Sequence, residues 1–136
     1  MKVHFVEEYV ETHRRFEVVN ITHIVEDVVR KSGVKNGMCL VYVPHATAAL
    51  IANEYEPRIV QDYITWVTKN IPPGAGWRHD EIDDNAHAHI ASAFISTSRT
   101  FPVINGRLIR GTWQEILLLE LDGPRRRRVV VMVMGV

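Results

Sequence analysis

The stretch "LIRGTWQEILLLELDGPRRRRVVVMVMGV", residues 108–136, decides the fold. Its first half is rich in β-branched and apolar residues and its last third is almost wholly apolar. The Asp122-Gly123 pair between them is a turn signal, so the stretch predicts two long antiparallel strands. Asn105-Gly106, just upstream, predicts a further hairpin. Alternation in "TWQEILLLEL" would send Trp113, Glu115 and Leu117 to one face and Thr112, Gln114 and Ile116 to the other. Gln114 and Glu115 then line one pocket only if a bulge intervenes. The final strand, "VVVMVMGV", is apolar enough to be either central in a sheet or sealed by another subunit.

Working outward from there, Asn85 to Ser96 reads as a short helix capped by Asp83, Asp84 or Asn85, and the two acidic residues suit the positive end of the helix dipole. Glu56 to Asn70 carries the clearest helical period, with Ile59, Val60, Tyr63, Ile64 and Val67 on one face and "IPPGAG" ending it. Thr22 to Ser32 is a third helix, with Ile24, Val25, Val28 and Val29 at spacings of three and four and Gly33 as its stop. "GMCLVYVPHATAALIAN", residues 37–53, is uncharged and predicts a buried strand pair, or one long strand bent at Pro44. "VHFVEEYV" and "RFEVVNI" predict two short strands with "ETHR" turning between them. The order ββαββααβββ, with helices in the middle and hairpins at the end, predicts an α+β domain with a mostly antiparallel sheet.

At 136 residues the chain fits a single domain, 1–136, able to bury its own core. Sixteen basic and sixteen acidic residues cancel, so no global field draws it to nucleic acid or an anionic membrane, and an anion must be held locally. Arg125 to Arg128 alternate across strand faces without an aromatic platform, which fits a phosphate clamp or a salt bridge better than nucleic-acid binding. The lone Cys39 favours a reducing, cytoplasmic setting. The charged N-terminus and the lack of a long apolar run predict a soluble chain with no membrane span.

Three histidines fall where the chain changes direction: His45 beside Pro44, His79 after "PPGAGW" and His89 in the short helix. A catalytic zinc takes three protein ligands and keeps a position open, so this trio is a candidate metal set. Asn85 and His89, four apart, share a helix face, whereas His87 is rotated by about 200°; His89 is therefore expected to point inward. Scattered polar histidines are the alternative, since no HExxH or CxxC spacing occurs. Glu54 and Asp62 are candidate bases or partners that orient a histidine, against a reading as helix cap and solvated face. Neither Walker A nor GxGxxG is present, and Cys39 in an apolar strand is a poor nucleophile.

"HATAALIANEYEP", Asp62, His79, "NAHAHI" and, most specifically, Gly111 to Gln114 followed by Glu120 to Arg127 together resemble the YjbQ family of secondary thiamine-phosphate synthases. That resemblance implies a compact α+β domain with a β-sandwich core and two or three helices, commonly a homotrimer. It also implies a pocket at His45, Asn53, Glu54, Asp62, His79, Asn85 and His89. The threonine usual after the first histidine is Ala46 here, and Thr47 remains. On this reading His45, His79 and His89 bind zinc or another divalent metal, and Glu54, Asp62 and Asn85 serve catalysis. Asn53, Thr47, Gln114, Arg125 and Arg127 would bind a small phosphorylated molecule. The activity implied is a weak joining of a pyrimidine diphosphate to a thiazole phosphate; the alternative is a non-catalytic trimeric protein that binds a small anion.

Overall fold

The computed structural model describes residues 1–136. Two antiparallel sheets pack face to face. The larger takes β1 (Lys2–Glu11), β3 (Asn36–Tyr42), β5 (Ser98–Ile104), β6 (Arg107–Leu108) and β8 (Arg126–Gly135), in the spatial order β1-β8-β3-β5-β6. The smaller takes β2 (Glu17–Asn20), β4 (Ala48–Asn53) and β7 (Glu115–Glu120), in the order β2-β7-β4. The helices are α1 (Thr22–Ser32), α2 (Pro57–Asn70) and α3 (Ala86–Ile95), with one 3₁₀ turn at Arg78–Glu81.

Period-two burial builds the sandwich. In β8, Val129, Val131 and Val133 point between the sheets and meet Cys39 and Val41 of β3, Phe101 and Val103 of β5, and Leu50, Ile116 and Leu118 of the small sheet. The other face of the small sheet, with Val18, Ala49, Leu117 and Leu119, is covered by Val67 of α2 and by Ala88 and Ala91 of α3. Consequently β7 is buried on both faces, which explains its unbroken run of leucines. Helix α1 plugs the sandwich with Val25, Val28 and Val29, and ends at Gly33, whose φ of 71° is the left-handed conformation that glycine adopts without a steric penalty. No helix is long and apolar enough to cross a membrane.

Three expectations need correction. The long strand from Leu108 to Leu121 is interrupted: after β6 the chain turns at Gly111–Gln114, where the Gln114 Oε1 accepts the Gly111 N–H at 2.9 Å, and β7 starts only at Glu115. This adds a strand to the order and removes the premise of one continuous alternation. Secondly, neither β1 with β2 nor β3 with β4 forms a hairpin; each pair is split between the two sheets, so "ETHR" and the Pro44 segment carry the chain across the sandwich. Thirdly, helix α2 is capped by Glu56, which accepts from the N–H groups of Arg58 and Ile59, and not by Glu54.

Candidate functional site

Where β3 gives way to β4, Pro44 and His45 pass beside α3, along the side that runs from His89 to the helix's C-terminal end. The pocket there, about 440 Å³, is lined by His45, Ala46, His89, Ser92, Ala93, Ser96 and Thr97. Helix α3 is anchored at its start by the Asp80 carboxylate, which accepts the Ala86 N–H at 3.0 Å, and along its length by Ser92, which donates to the Ala48 carbonyl at 2.8 Å. Asn85 holds the N-cap position, as expected, but its side chain turns to His79 and Asp122, so Asp80, in the 3₁₀ turn, supplies the capping hydrogen bond, and that turn brings His79 over the helix. The His79 and His89 rings meet edge to face, with centroids 4.8 Å apart.

Behind His79 runs a chain of polar contacts. Asp122 accepts from Asn85 Nδ2 at 2.9 Å and from Arg125 Nη2 at 2.9 Å. Burial pushes the Asp122 carboxyl up, but the hydrogen bonds from Asn85 and Arg125 outweigh it and hold the group below its ordinary range. An ionised carboxylate only accepts, so Asn85 must turn its NH₂ to Asp122 and its Oδ1 to His79. His79 Nε2, 3.1 Å from that Oδ1, must therefore donate. The neutral tautomer of His79 so fixed has its lone pair on Nδ1, available to accept a hydrogen bond or a proton.

His45 is fixed in the opposite sense. Its Nε2 accepts the Arg128 backbone N–H at 2.7 Å, so the neutral ring bears its proton on Nδ1 and is a hydrogen-bond donor. Burial lowers its pKa, and the Arg127 charge adds to the effect, keeping it neutral near pH 7. With Nε2 occupied and Nδ1 protonated, His45 offers no lone pair to an ion. The expected metal set of His45, His79 and His89 does not close in this chain, and no three His, Cys, Asp or Glu side chains are grouped to hold one.

The remaining candidates are distributed elsewhere. Arg127 and Thr47, expected to bind substrate, are buried within the protein. Arg127 donates through Nε to Glu120 Oε1 at 2.8 Å, through Nη2 to Glu120 Oε2, and to the Thr47 carbonyl and hydroxyl at 3.0 Å each. Thr12 donates to the same carboxylate at 2.7 Å, and the Leu121 and Asp122 N–H groups complete its coordination. Asn53 and Gln114 line a separate cavity with Tyr63 and Arg99 at the far end of β4, roughly 20 Å from Thr47 at about 3.3 Å per strand residue. Glu54 is exposed and offers only its backbone carbonyl to Tyr63, and Asp62 is exposed on α2. Within one chain these three polar residues and Gln114 do not reach the histidine pocket.

His87, not His89, is the histidine that points into the interior: it is 1% exposed, beside Phe16, with neither ring nitrogen hydrogen-bonded. Burial lowers its pKa and the nearby Arg15 charge adds to that. Sequence reasoning placed Asp122 only in a turn and passed over Asp80; the sole signal for either was an acidic residue beside a turn.

An antiparallel sandwich with a histidine pocket at one end defines the class. The chain belongs to the family described as UPF0047 protein YjbQ-like, whose sequence profile matches residues 7–136. A UPF0047 protein of Archaeoglobus fulgidus is 44% identical over 88% of this chain and 93% of its own length, and one of Methanothermobacter thermautotrophicus is 41% identical over 99% and 94%. Among solved structures, a YbjQ-like protein of unknown function from Sulfolobus solfataricus P2 superposes with a TM-score of 0.98, at 50% identity and 99% coverage of both chains. A YjbQ/UPF0047 family protein from Clostridium acetobutylicum superposes with a TM-score of 0.90, at 35% identity over 95% of this chain and 99% of that one.

Proposed function

We propose that this protein is a small-molecule enzyme acting on a phosphorylated substrate, with thiamine-phosphate synthase-like transfer as a weak, secondary activity. The observation that carries the reading is the Arg125–Asp122–Asn85–His79 chain, which orients one imidazole beside a pocket holding two more. His79 Nδ1 would take a proton, and His45 Nδ1–H and Arg125 would meet charge on a phosphate oxygen. Joining a pyrimidine diphosphate to a thiazole phosphate leaves developing charge on the departing pyrophosphate, which such donors would stabilise. A homotrimer in the cytoplasm completes the reading; Cys39, buried with its thiol pushed up to about 12, suits a reducing compartment.

The test is steady-state turnover of that pyrimidine and thiazole pair, and of a panel of phosphate esters, by wild type and His79→Ala. Turnover lost in the variant supports the enzyme. Saturable phosphate binding without turnover of any substrate would instead make the pocket a non-catalytic anion site.

A divalent ion, zinc first, is a second reading, favoured by the tautomer of His79 and by its contact with His89. These two imidazoles would be this chain's share of the ligands. Elemental mass spectrometry of untagged protein tests it: about one zinc per chain, absent from His89→Ala, supports a metal, and none in either form removes it.

A further inference from the structure

Helix α3 ends at a residue whose backbone conformation belongs to glycine. Ser96, its C-cap, has φ 98° and ψ 153°, a region that glycine enters freely and that a Cβ all but forbids. One other non-glycine residue has a positive φ, Asn105 at 53°, but it sits in the left-handed helical region that asparagine tolerates. Glycine is the usual residue at a helix end of this kind, and "FISTSR", residues 94–99, contains none.

Bonds on both sides hold the strained corner in place. The Ser96 N–H donates to the Ser92 carbonyl at 3.0 Å, the Ser96 carbonyl accepts from the Leu50 N–H at 3.1 Å, and the Thr97 carbonyl accepts from the Val43 N–H at 2.9 Å. Arg99 adds two more, donating to the Leu50 carbonyl at 3.0 Å and to the Ile95 carbonyl at 2.8 Å. The corner thus ties the end of α3 to both ends of the 43–50 segment, which carries His45. Strain of this sort persists only where the surroundings over-determine it, and it collects at ligand sites.

The backbone of Ser96 is fully engaged, whereas its hydroxyl is not. Its Oγ has only the Ser98 N–H and carbonyl for neighbours, each 3.5 Å away and beyond the usual hydrogen-bond range. Ser92, in the same pocket lining, instead directs its hydroxyl to the Ala48 carbonyl at 2.8 Å. Ser96 also lines that pocket, together with His45, whose Nδ1–H is a free donor.

We infer that Ser96 is a substrate-binding residue whose hydroxyl, with the His45 Nδ1–H, seats a phosphate group, an assignment that rests on the phosphorylated substrate proposed above. The side chain that strains the corner is then the one that grips the ligand. A glycine there would relax the fold and empty the seat of one donor.

Calorimetric titration with inorganic phosphate and with pyrophosphate, run beside thermal unfolding, tests the residue through two variants. Ser96→Gly frees the backbone and deletes the hydroxyl, so its melting temperature should rise by about 4 °C while phosphate binding weakens about 10-fold. Ser96→Ala keeps the Cβ and its strain, so it should show the same loss of affinity with a melting temperature near that of wild type. A serine with a merely structural role would move the temperature and leave the affinity alone. Wild-type affinity in both variants therefore overturns the proposal and leaves the phosphorylated substrate standing. A wild type that binds neither probe overturns both. A Ser96→Gly melting temperature at or below that of wild type overturns the link between strain and binding. No turnover is required, so a pocket that binds phosphate without catalysis and loses it in both variants still supports the assignment.

Discussion

Two polar networks share the segment from Glu120 to Arg128, and they differ in what they leave open. In the Glu120–Arg127 network every charge is matched inside the protein, with Glu120 0% and Arg127 2% exposed. Burial alone would raise the Glu120 carboxyl, but Arg127 and Thr12 outweigh it and keep the group low. In the Asp122–Arg125 network, two residues further into the turn, the arginine is exposed and the chain of bonds ends on a histidine beside a cavity. The end of β8 separates the two: Arg127, inside the strand, faces inward with Val129 and Val131, whereas Arg125 precedes the strand and lies in the turn. A closed network secures the packing of β4, β7 and β8; an open one fixes the orientation of an imidazole beside a pocket.

The largest effect should come from breaking the closed network on one side. Arg127→Met strands the Glu120 carboxylate and should cost about 3–5 kcal/mol in urea unfolding. The double variant Arg127→Met/Glu120→Leu should recover most of that loss.

Breaking the open network should change chemistry more than stability. Asp122→Asn removes the demand that turns Asn85 toward His79, and should lower turnover about 10- to 100-fold. Its loss of unfolding free energy should be well below that of Arg127→Met, and kcat measured beside a urea titration compares the two.

Acid sharpens the contrast more mildly. His87 and His45 have folded pKa values below the ordinary imidazole value of about 6.5, so the unfolded chain binds protons more readily. Their contribution to stability is complete above about pH 6.5 and is lost as pH falls through the lower folded values. Unfolding curves at pH 7.5 and 5 should show the loss, and His87→Phe should reduce it. Smallest of all, Arg125→Ala should cost no more than about 1 kcal/mol, because this pair is half-exposed and screened by salt. A calorimetric titration with inorganic phosphate should nonetheless show weaker binding.

Local rules account for what the sequence made legible. The periods of α1 and α2, the Gly33 stop and the Asn105-Gly106 turn depend on near neighbours, and each matches the structure. The division into two sheets depends on pairings such as Phe5 with Met132, across nearly the whole chain, which no window of sequence contains. The break at Gly111–Gln114 was hidden because apolar residues on both sides read as one strand.

At the site, helix geometry correctly grouped Asn85 with His89 and separated His87, yet misjudged which histidine is enclosed. Enclosure depends on Phe16, supplied from another part of the chain. The fate of Arg127 was illegible for a similar reason, since its partner Glu120 becomes a neighbour only once β7 crosses into β8 through the turn.

The place of β8 sets the order in which the large sheet can be made. It lies between β1 and β3, so residues 2–11 have no partner strand until residues 126–135 have been synthesised. During translation β1 must wait until every element from β2 to β7 has been made. Its edge, and the apolar side chains of β3 beside it, are open to chance pairing through that interval, and folding is governed by a late, long-range closure.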